Sequence, residues 1–261
     1  MRIPAVLLLV MIGPLFCLRG QAVDVPQAPP PEPPPDPGRP VSWRKLIPNA
    51  ASDQKQIWLF PLKIEQRKRW IPAAAVVGAT AGLVALDPTT APYFRRTSSF
   101  EGFNKVFSGN HTSIGILAAP AALYASGWIW KDSKMRRTAL LAGEAVANSE
   151  ILTTVFKDVD RRLRPAAIPA NGNFADTWFK DNTHNFHSNG SFPSGHTIAA
   201  FSIATVIARR YGNHHWVPYV AYGGAALVAF SRVTLSSHFV SDVFMGGALG
   251  YSISRFVVLR E

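Results

Sequence analysis

Residues 112–130 read TSIGILAAPAALYASGWIW, a run without a single formal charge. Ala, Leu, Ile and Gly dominate it. It lacks the apolar–polar alternation of a half-buried strand, so it reads as a helix. Its length approaches the roughly 20 apolar residues that a membrane crossing requires. Five stretches of the same character surround it, at about 71–86, 138–156, 196–208, 216–230 and 239–258. All six are expected to be helices. The chain is therefore predicted to be all-α, a bundle of about six apolar helices with its site built from loops and helix ends at one face. Not every stretch suits a bilayer. Only twelve residues separate His196 from Arg209, and 138–156 carries Glu144, Asn148 and Glu150. Such lengths favour helices packed in a protein core or lying partly in the bilayer.

Composition agrees with this picture. Of 261 residues, 48% are hydrophobic and 16% charged, richer in apolar and poorer in charged residues than an ordinary soluble domain. The net charge of +11 points to anionic partners such as phosphorylated substrates or acidic lipid. The bland alternative is that these cations solvate the surface and fix membrane topology. The single cysteine, Cys17, lies in the N-terminal apolar run, which leaves no thiolate pair for a disulfide or a metal.

Three segments follow from the N-terminal pattern. Met1–Arg2, a short apolar stretch and the small residues around Gly20-Gln21-Ala22 read as a signal peptide over 1–22. An uncleaved anchor is the competing reading. Residues 23–69 form an extension. Nine of the fifteen residues in 26–40 are proline, which predicts an extended polyproline spacer, and residues 41–69 are mixed and basic. The helical domain is expected over 70–261.

Basic residues gather in alternate connections, at Arg67-Lys68-Arg69, at Lys131, Lys134, Arg136 and Arg137, at Arg209-Arg210 and at Arg260. That is the positive-inside pattern, and it places 157–195 and 231–238 outside the cytoplasm. A cleaved signal reverses this order if all six helices span. The expected location is the cell envelope, on the periplasmic or extracytoplasmic face, membrane-integral or membrane-associated.

Chemistry concentrates in three clusters, all in or beside those two loops. They are Lys157, six residues, then Arg164-Pro165; Pro193-Ser194-Gly195-His196; and Ser231-Arg232, five residues, His238, three residues, Asp242. Transfer of a phosphoryl group depends on positioned positive charge, which Lys157, Arg164 and Arg232 supply. If the helix continues through 157–163, Lys157 and Arg164 share one face. Pro193 and Ser194 signal a helix start, whose backbone N–H groups bind anions, and Gly195 lets a phosphate approach closely. His238 and Asp242 are neighbours on a helical face, so the carboxylate orients the imidazole for attack on phosphorus. His196 is the natural general acid and base. Arg161 and Arg162 read as an ordinary solvated helix end or a positive-inside anchor.

With all eleven specified positions in order and correctly spaced, the chain resembles the type 2 phosphatidic acid phosphatase and vanadium haloperoxidase superfamily over about residues 70–258. The resemblance implies His238 as nucleophile, Asp242 as its orienter and His196 as acid/base. It implies Lys157, Arg164, Ser194, Gly195 and Arg232 as phosphate ligands. It implies a metal-independent phosphatase working through a phosphohistidine, with no cofactor and no metal. The expected substrate is a lipid phosphate monoester or pyrophosphate, reached through membrane association. A periplasmic acid phosphatase on soluble monoesters is the alternative, and a vanadium-dependent haloperoxidase a more distant one. No recognised module supports nucleic-acid binding.

Other polar residues have weaker claims. Asp181, His184 and His187 have loose metal-ligand spacing with no supporting cluster. His214-His215 reads as a polar turn. Glu144 and Glu150 are open between a structural ion pair, an exposed position and a place beside the site. Residues 166–192 are either a cover over the site or a connector.

Overall fold

The computed structural model describes residues 39–63, 70–181 and 190–260. The signal peptide and the proline-rich segment up to residue 38 lie outside the described residues, as do His184, Phe186 and His187. Eight α-helices run through the described residues, with no strand among them: α1 (Leu46–Lys63), α2 (Trp70–Arg96), α3 (Glu101–Val106), α4 (Gly109–Ile129), α5 (Ser133–Asp160), α6 (Gly195–Arg210), α7 (Trp216–Thr234) and α8 (Val240–Ile253), the last extended by a π-helical turn at Ser254–Val258. Each of the six apolar stretches lies in a helix, and the all-α expectation holds. The segments around α1 and α3 are too polar to show the apolar signal.

Two boundaries differ from expectation. α2 continues through Pro88 and Pro92 to Arg96 instead of stopping near residue 86. Within this stretch the hydroxyls of Thr89 and Thr90 donate to the Leu86 carbonyl at 2.7 and 3.2 Å. α5 ends earlier than the shared-face argument required. Its cap, Arg161, takes the left-handed conformation at φ 40°, and the chain leaves the helix axis before Arg164. Lys157 and Arg164 are therefore brought together by a turn, not by helical spacing.

α6 is the central helix, packed by α4, α5, α7 and α8. Its sequence GHTIAAFSIATVIARR is apolar or small on every side, as a helix buried all round must be. Ile203 and Val206 join Leu141, Ala142, Ala145 and Leu152 of α5 and Ile253 and Val258 at the C-terminus in the main core. Buried hydroxyls are satisfied internally, as between Ser149 and Ser202 at 2.8 Å. Against α8 the packing is backbone-close. A Cβ on Gly250 would stand 2.4 Å from the Ile198 carbonyl oxygen, and one on Gly246 2.9 Å from that of Ser194.

α1 is fastened to α5 by a buried polar clasp. Arg39 donates to both oxygens of Asp53 at 2.5 and 2.8 Å and pairs with Glu144. Asn148 and Arg260 also donate to Asp53, at 2.9 and 3.1 Å. Glu144 is thus a structural ion pair. α2 and α4 are each long and apolar enough to cross a membrane, and Val77, Leu86, Tyr93, Ile114 and Leu117 on them are exposed.

Candidate active site

The alternation of helix directions delivers every expected site residue to one end of the bundle. Lys157 is in the last turn of α5, and Arg164 precedes the 3₁₀ turn Pro165–Ala167. Ser194 is the N-cap of α6, and Gly195 and His196 open that helix. Arg232 is in the last turn of α7, His238 in the connection that follows, and Asp242 in the first turn of α8.

Arg164 acts on both of the other cations. Burial, then repulsion from Arg164, lowers the Lys157 pKa to about 8. The same two causes lower Arg232 to about 10, and burial lowers Arg164. Such destabilisation is relieved by a dianion placed among them. Arg232 is itself anchored, donating to the Phe107 carbonyl at 2.5 Å and to Ser231 Oγ at 2.7 and 3.0 Å.

The tip of α6 completes the anion site. The Ser194 hydroxyl does not cap the helix; it accepts from Thr197 Oγ1 at 2.9 Å. The first N–H groups of α6 keep no side-chain cap, which suits an anion. The glycine at 195 keeps the tip open. A Cβ there would stand 3.4 Å from Thr153 Cγ2 and 3.9 Å from both Lys157 Nζ and Glu150 Oε1.

Two imidazoles complete the set. His196 Nε2 is 2.8 Å from Ser113 Oγ of α4. Burial, then the charge of Arg232, lowers its pKa to about 4, against a bond to the Gly109 backbone that raises it. His238 is 2% exposed, and burial likewise lowers its pKa to about 4. His238 Nδ1 lies 2.6 Å from the Ser191 carbonyl, which only accepts. The proton therefore belongs on Nδ1, leaving the Nε2 lone pair free.

Here the structure refines the sequence reading of Asp242. Its Oδ2 is 3.6 Å from His238 Nδ1, beyond hydrogen-bond range, so it acts on the ring as a nearby charge. The direct acceptor is the Ser191 carbonyl. Asp242 holds Ser191 through its hydroxyl at 2.5 Å and takes the Phe239 N–H at 2.8 Å, half of a capping box. Burial alone would raise the Asp242 pKa, but His238, Arg162 and Ser191 outweigh it and the net shift is downward.

Arg162 overturns its assignment as a solvated helix end. It is 1% exposed and is the hub beneath the site. Nη1 donates to Asp242 Oδ1 at 2.5 Å and to Ser241 Oγ at 2.8 Å, Nη2 to Asp87 Oδ2 at 2.7 Å, and Nε to Thr177 Oγ1 at 3.2 Å. The rings of Trp178 and Phe239 cover its guanidinium at 4.5 and 4.0 Å. Asp87 arrives from α2 and also accepts from Ser241 Oγ at 2.5 Å. Sequence reasoning missed Asp87, Arg162, Ser191 and Ser241. An acid in the otherwise apolar α2, just before Pro88, was the available signal.

The 166–192 connection is partly structural. The Thr177 carbonyl accepts from Leu163 N at 2.8 Å, and Ser191 N donates to the Arg162 carbonyl at 2.8 Å, so its middle and its C-terminal end pack along 160–163. His214-His215 forms the turn between α6 and α7, as expected. Among the described residues no group of three His, Cys, Asp or Glu side chains is disposed to hold a metal.

Comparison with known proteins gives consistent matches. Residues 138–260 match the family model described as the PAP2 superfamily. A lipid A 1-phosphatase of Porphyromonas gingivalis is 39% identical over 25% of this chain and 15% of its own length. A lipid A 4'-phosphatase of the same organism is 27% identical over 41% and 44%, respectively. The bacitracin transport permease protein BcrC of Bacillus licheniformis is 30% identical over 50% and 59%. The chain thus spans less than two thirds of each of these relatives. Among solved structures, a transmembrane PAP2-type phosphatidylglycerolphosphate phosphatase from Bacillus subtilis is 21% identical, with a TM-score of 0.44 over 80% of this chain and 94% of that one. Residues 138–260, which carry the three motifs gathered at one end of the helical bundle, are thus similar to the PAP2 superfamily.

Proposed function

We propose that the chain is a metal-independent phosphatase that acts on lipid-borne phosphate monoesters or pyrophosphates through a phosphohistidine on His238. The observation that carries this reading is the field at the site: Lys157, Arg164 and Arg232 lower one another's or the histidines' pKa values beside the uncapped tip of α6. Three cations and a helix N-terminus supply the charge neutralisation that phosphoryl transfer requires.

The steps follow from the two imidazoles. His238 Nε2 attacks phosphorus and forms the P–N bond as the P–O bond to the leaving group breaks. A bound dianion offsets the cations that depress His196, so His196 carries the proton that it gives to the leaving oxygen. Water then attacks the phosphohistidine. His196 takes its proton, the P–N bond breaks and phosphate leaves. Asp242 and the Ser191 carbonyl stabilise the positive charge on His238 while the intermediate lasts.

A lipid substrate suits the exposed apolar faces of α2 and α4, and two relatives are named lipid A phosphatases. At the end of the bundle remote from the site stand Lys131, Lys134, Arg136, Arg137, Arg209 and Arg210, with exposed Trp128, Trp130 and Trp216. The basic residues gathered there favour a cytoplasmic position for that end and an extracytoplasmic one for the site, and the tryptophans suit a membrane interface. Helices α6 and α8, of 16 and 14 residues, are short for a bilayer, which keeps soluble esters as a second reading.

Phosphate release is measured on a panel of lipid and soluble esters, with and without EDTA. Lipid esters are expected to turn over fastest and chelation to leave the rate intact. A rate abolished by EDTA and restored by a divalent ion overturns the metal-free mechanism. His238→Ala is expected to abolish both turnover and acid-labile phosphoenzyme, and normal turnover in that variant refutes the nucleophile.

A further inference from the structure

Glu150 lies two turns before Lys157 on α5 and outside the three motifs. Its Oε1 and Lys157 Nζ stand at equal distance, 3.9 Å, from the point that a Cβ of residue 195 would occupy, so both flank the open tip of α6. Partial desolvation raises the Glu150 pKa, and the charge of Lys157, acting through space, opposes that rise. Among the described residues Glu150 makes no side-chain hydrogen bond or ion pair. It is exposed, in a stripe of exposed apolar residues formed by Ile151, Val155 and Val159.

This placement is costly for binding a bare phosphate. A carboxylate accepts hydrogen bonds, and so do the oxygens of a dianionic phosphate, so the two repel. The cost is offset only if the substrate brings a donor. Its position favours that role. His196, which meets the leaving oxygen in the proposed mechanism, follows Gly195 directly, so the group that carries the phosphate departs from the same helix tip that Glu150 flanks.

We propose that Glu150 is a specificity-determining residue whose carboxylate accepts a hydrogen bond from a hydroxyl or amide N–H on the group that bears the phosphate. Polyol- or sugar-borne phosphates are then preferred over plain alkyl phosphates. The inference rests on the phosphatase reading above and narrows its substrate class.

The test uses the full chain in detergent micelles with two esters of equal tail length. Lauroyl lysophosphatidate has a hydroxyl beside the phosphoester carbon; dodecyl phosphate has none. The wild-type kcat/KM is expected to favour the first by about tenfold or more, the scale of a hydrogen bond to a charged group. Glu150→Ala should bring the ratio close to one, with the alkyl ester gaining as repulsion is removed. Glu150→Gln, which retains a neutral acceptor, should fall between. An unchanged ratio in Glu150→Ala, or an equal loss on both esters, overturns the specificity role. Absence of phosphate release from either ester by the wild type refutes the phosphatase reading itself, and this inference with it.

Discussion

Gly250→Ala tests the idea that the α6–α8 contact sets the catalytic geometry. The added Cβ would stand 2.4 Å from the Ile198 carbonyl oxygen and 3.1 Å from both Phe201 Cβ and Ser202 N. Ordinary C···O contact is about 3.3 Å, so α8 must move off α6 by about 1 Å. Two of these neighbours are backbone atoms of a helix buried on all sides, so rotamer adjustment gives no relief. Overpacking of this kind costs about 1–3 kcal/mol, which in a chain of this size lowers the melting temperature by about 2–12 °C. The effect on rate is larger. His196 opens α6, and His238 and Asp242 sit at the start of α8, so the displacement separates the proposed acid/base from the proposed nucleophile. A misplacement of about 1 Å costs on the order of 100-fold in rate. Gly247→Ala is the control. It brings the same gain in helix propensity, about 1 kcal/mol, but its Cβ would meet only the Phe201 ring at 3.6–3.7 Å. Thermal unfolding and phosphate release are compared for the two variants. Equal melting temperatures and rates would refute the argument, because the propensity terms cancel and only the steric difference remains.

Two further outcomes follow from the site. Arg162→Lys and Asp87→Asn should each lower kcat by about 10-fold or more with KM little changed, since they disturb the support of Asp242 and not the phosphate ligands; a lysine cannot reproduce the fork that spans Asp87, Ser241 and Asp242. Steady-state kinetics on folded variants check this, and a pure KM effect contradicts it. The second concerns pH. Lys157 has its pKa lowered to about 8 and is charged below that value, so KM should rise as pH passes upward through about 8. Lys157→Arg should move that limb to higher pH, and a limb that stays in place assigns the titration to another group.

How much of this was legible in the sequence varies by residue. The six apolar stretches announced their helices because a run of Ala, Leu and Ile has one stable way to satisfy its backbone in an apolar setting. The proposed phosphate ligands and both histidines could be picked out because fixed local spacing ties them to helix ends. Arg162 was not. It lies in a run of charges, Asp160-Arg161-Arg162, and nothing local distinguishes the exposed arginine from the buried one. That difference arises when α5 ends in a left-handed residue and Arg162 turns beneath Trp178 and Phe239.

The sequence by itself determined the helical class, the candidate catalytic residues and the end of each helix that carries them, since these depend on contacts within a few residues along the chain. Only the tertiary structure decided which groups support them. Asp87 reaches Asp242 through Arg162, across 75 and then 80 residues of chain, and the Ser191 carbonyl, 47 residues before His238, takes the place expected of the Asp242 carboxylate. Partners so distant in the chain leave no periodic or spaced signal. They are chosen by the demand that every buried charge and ring nitrogen find a partner once the helices close.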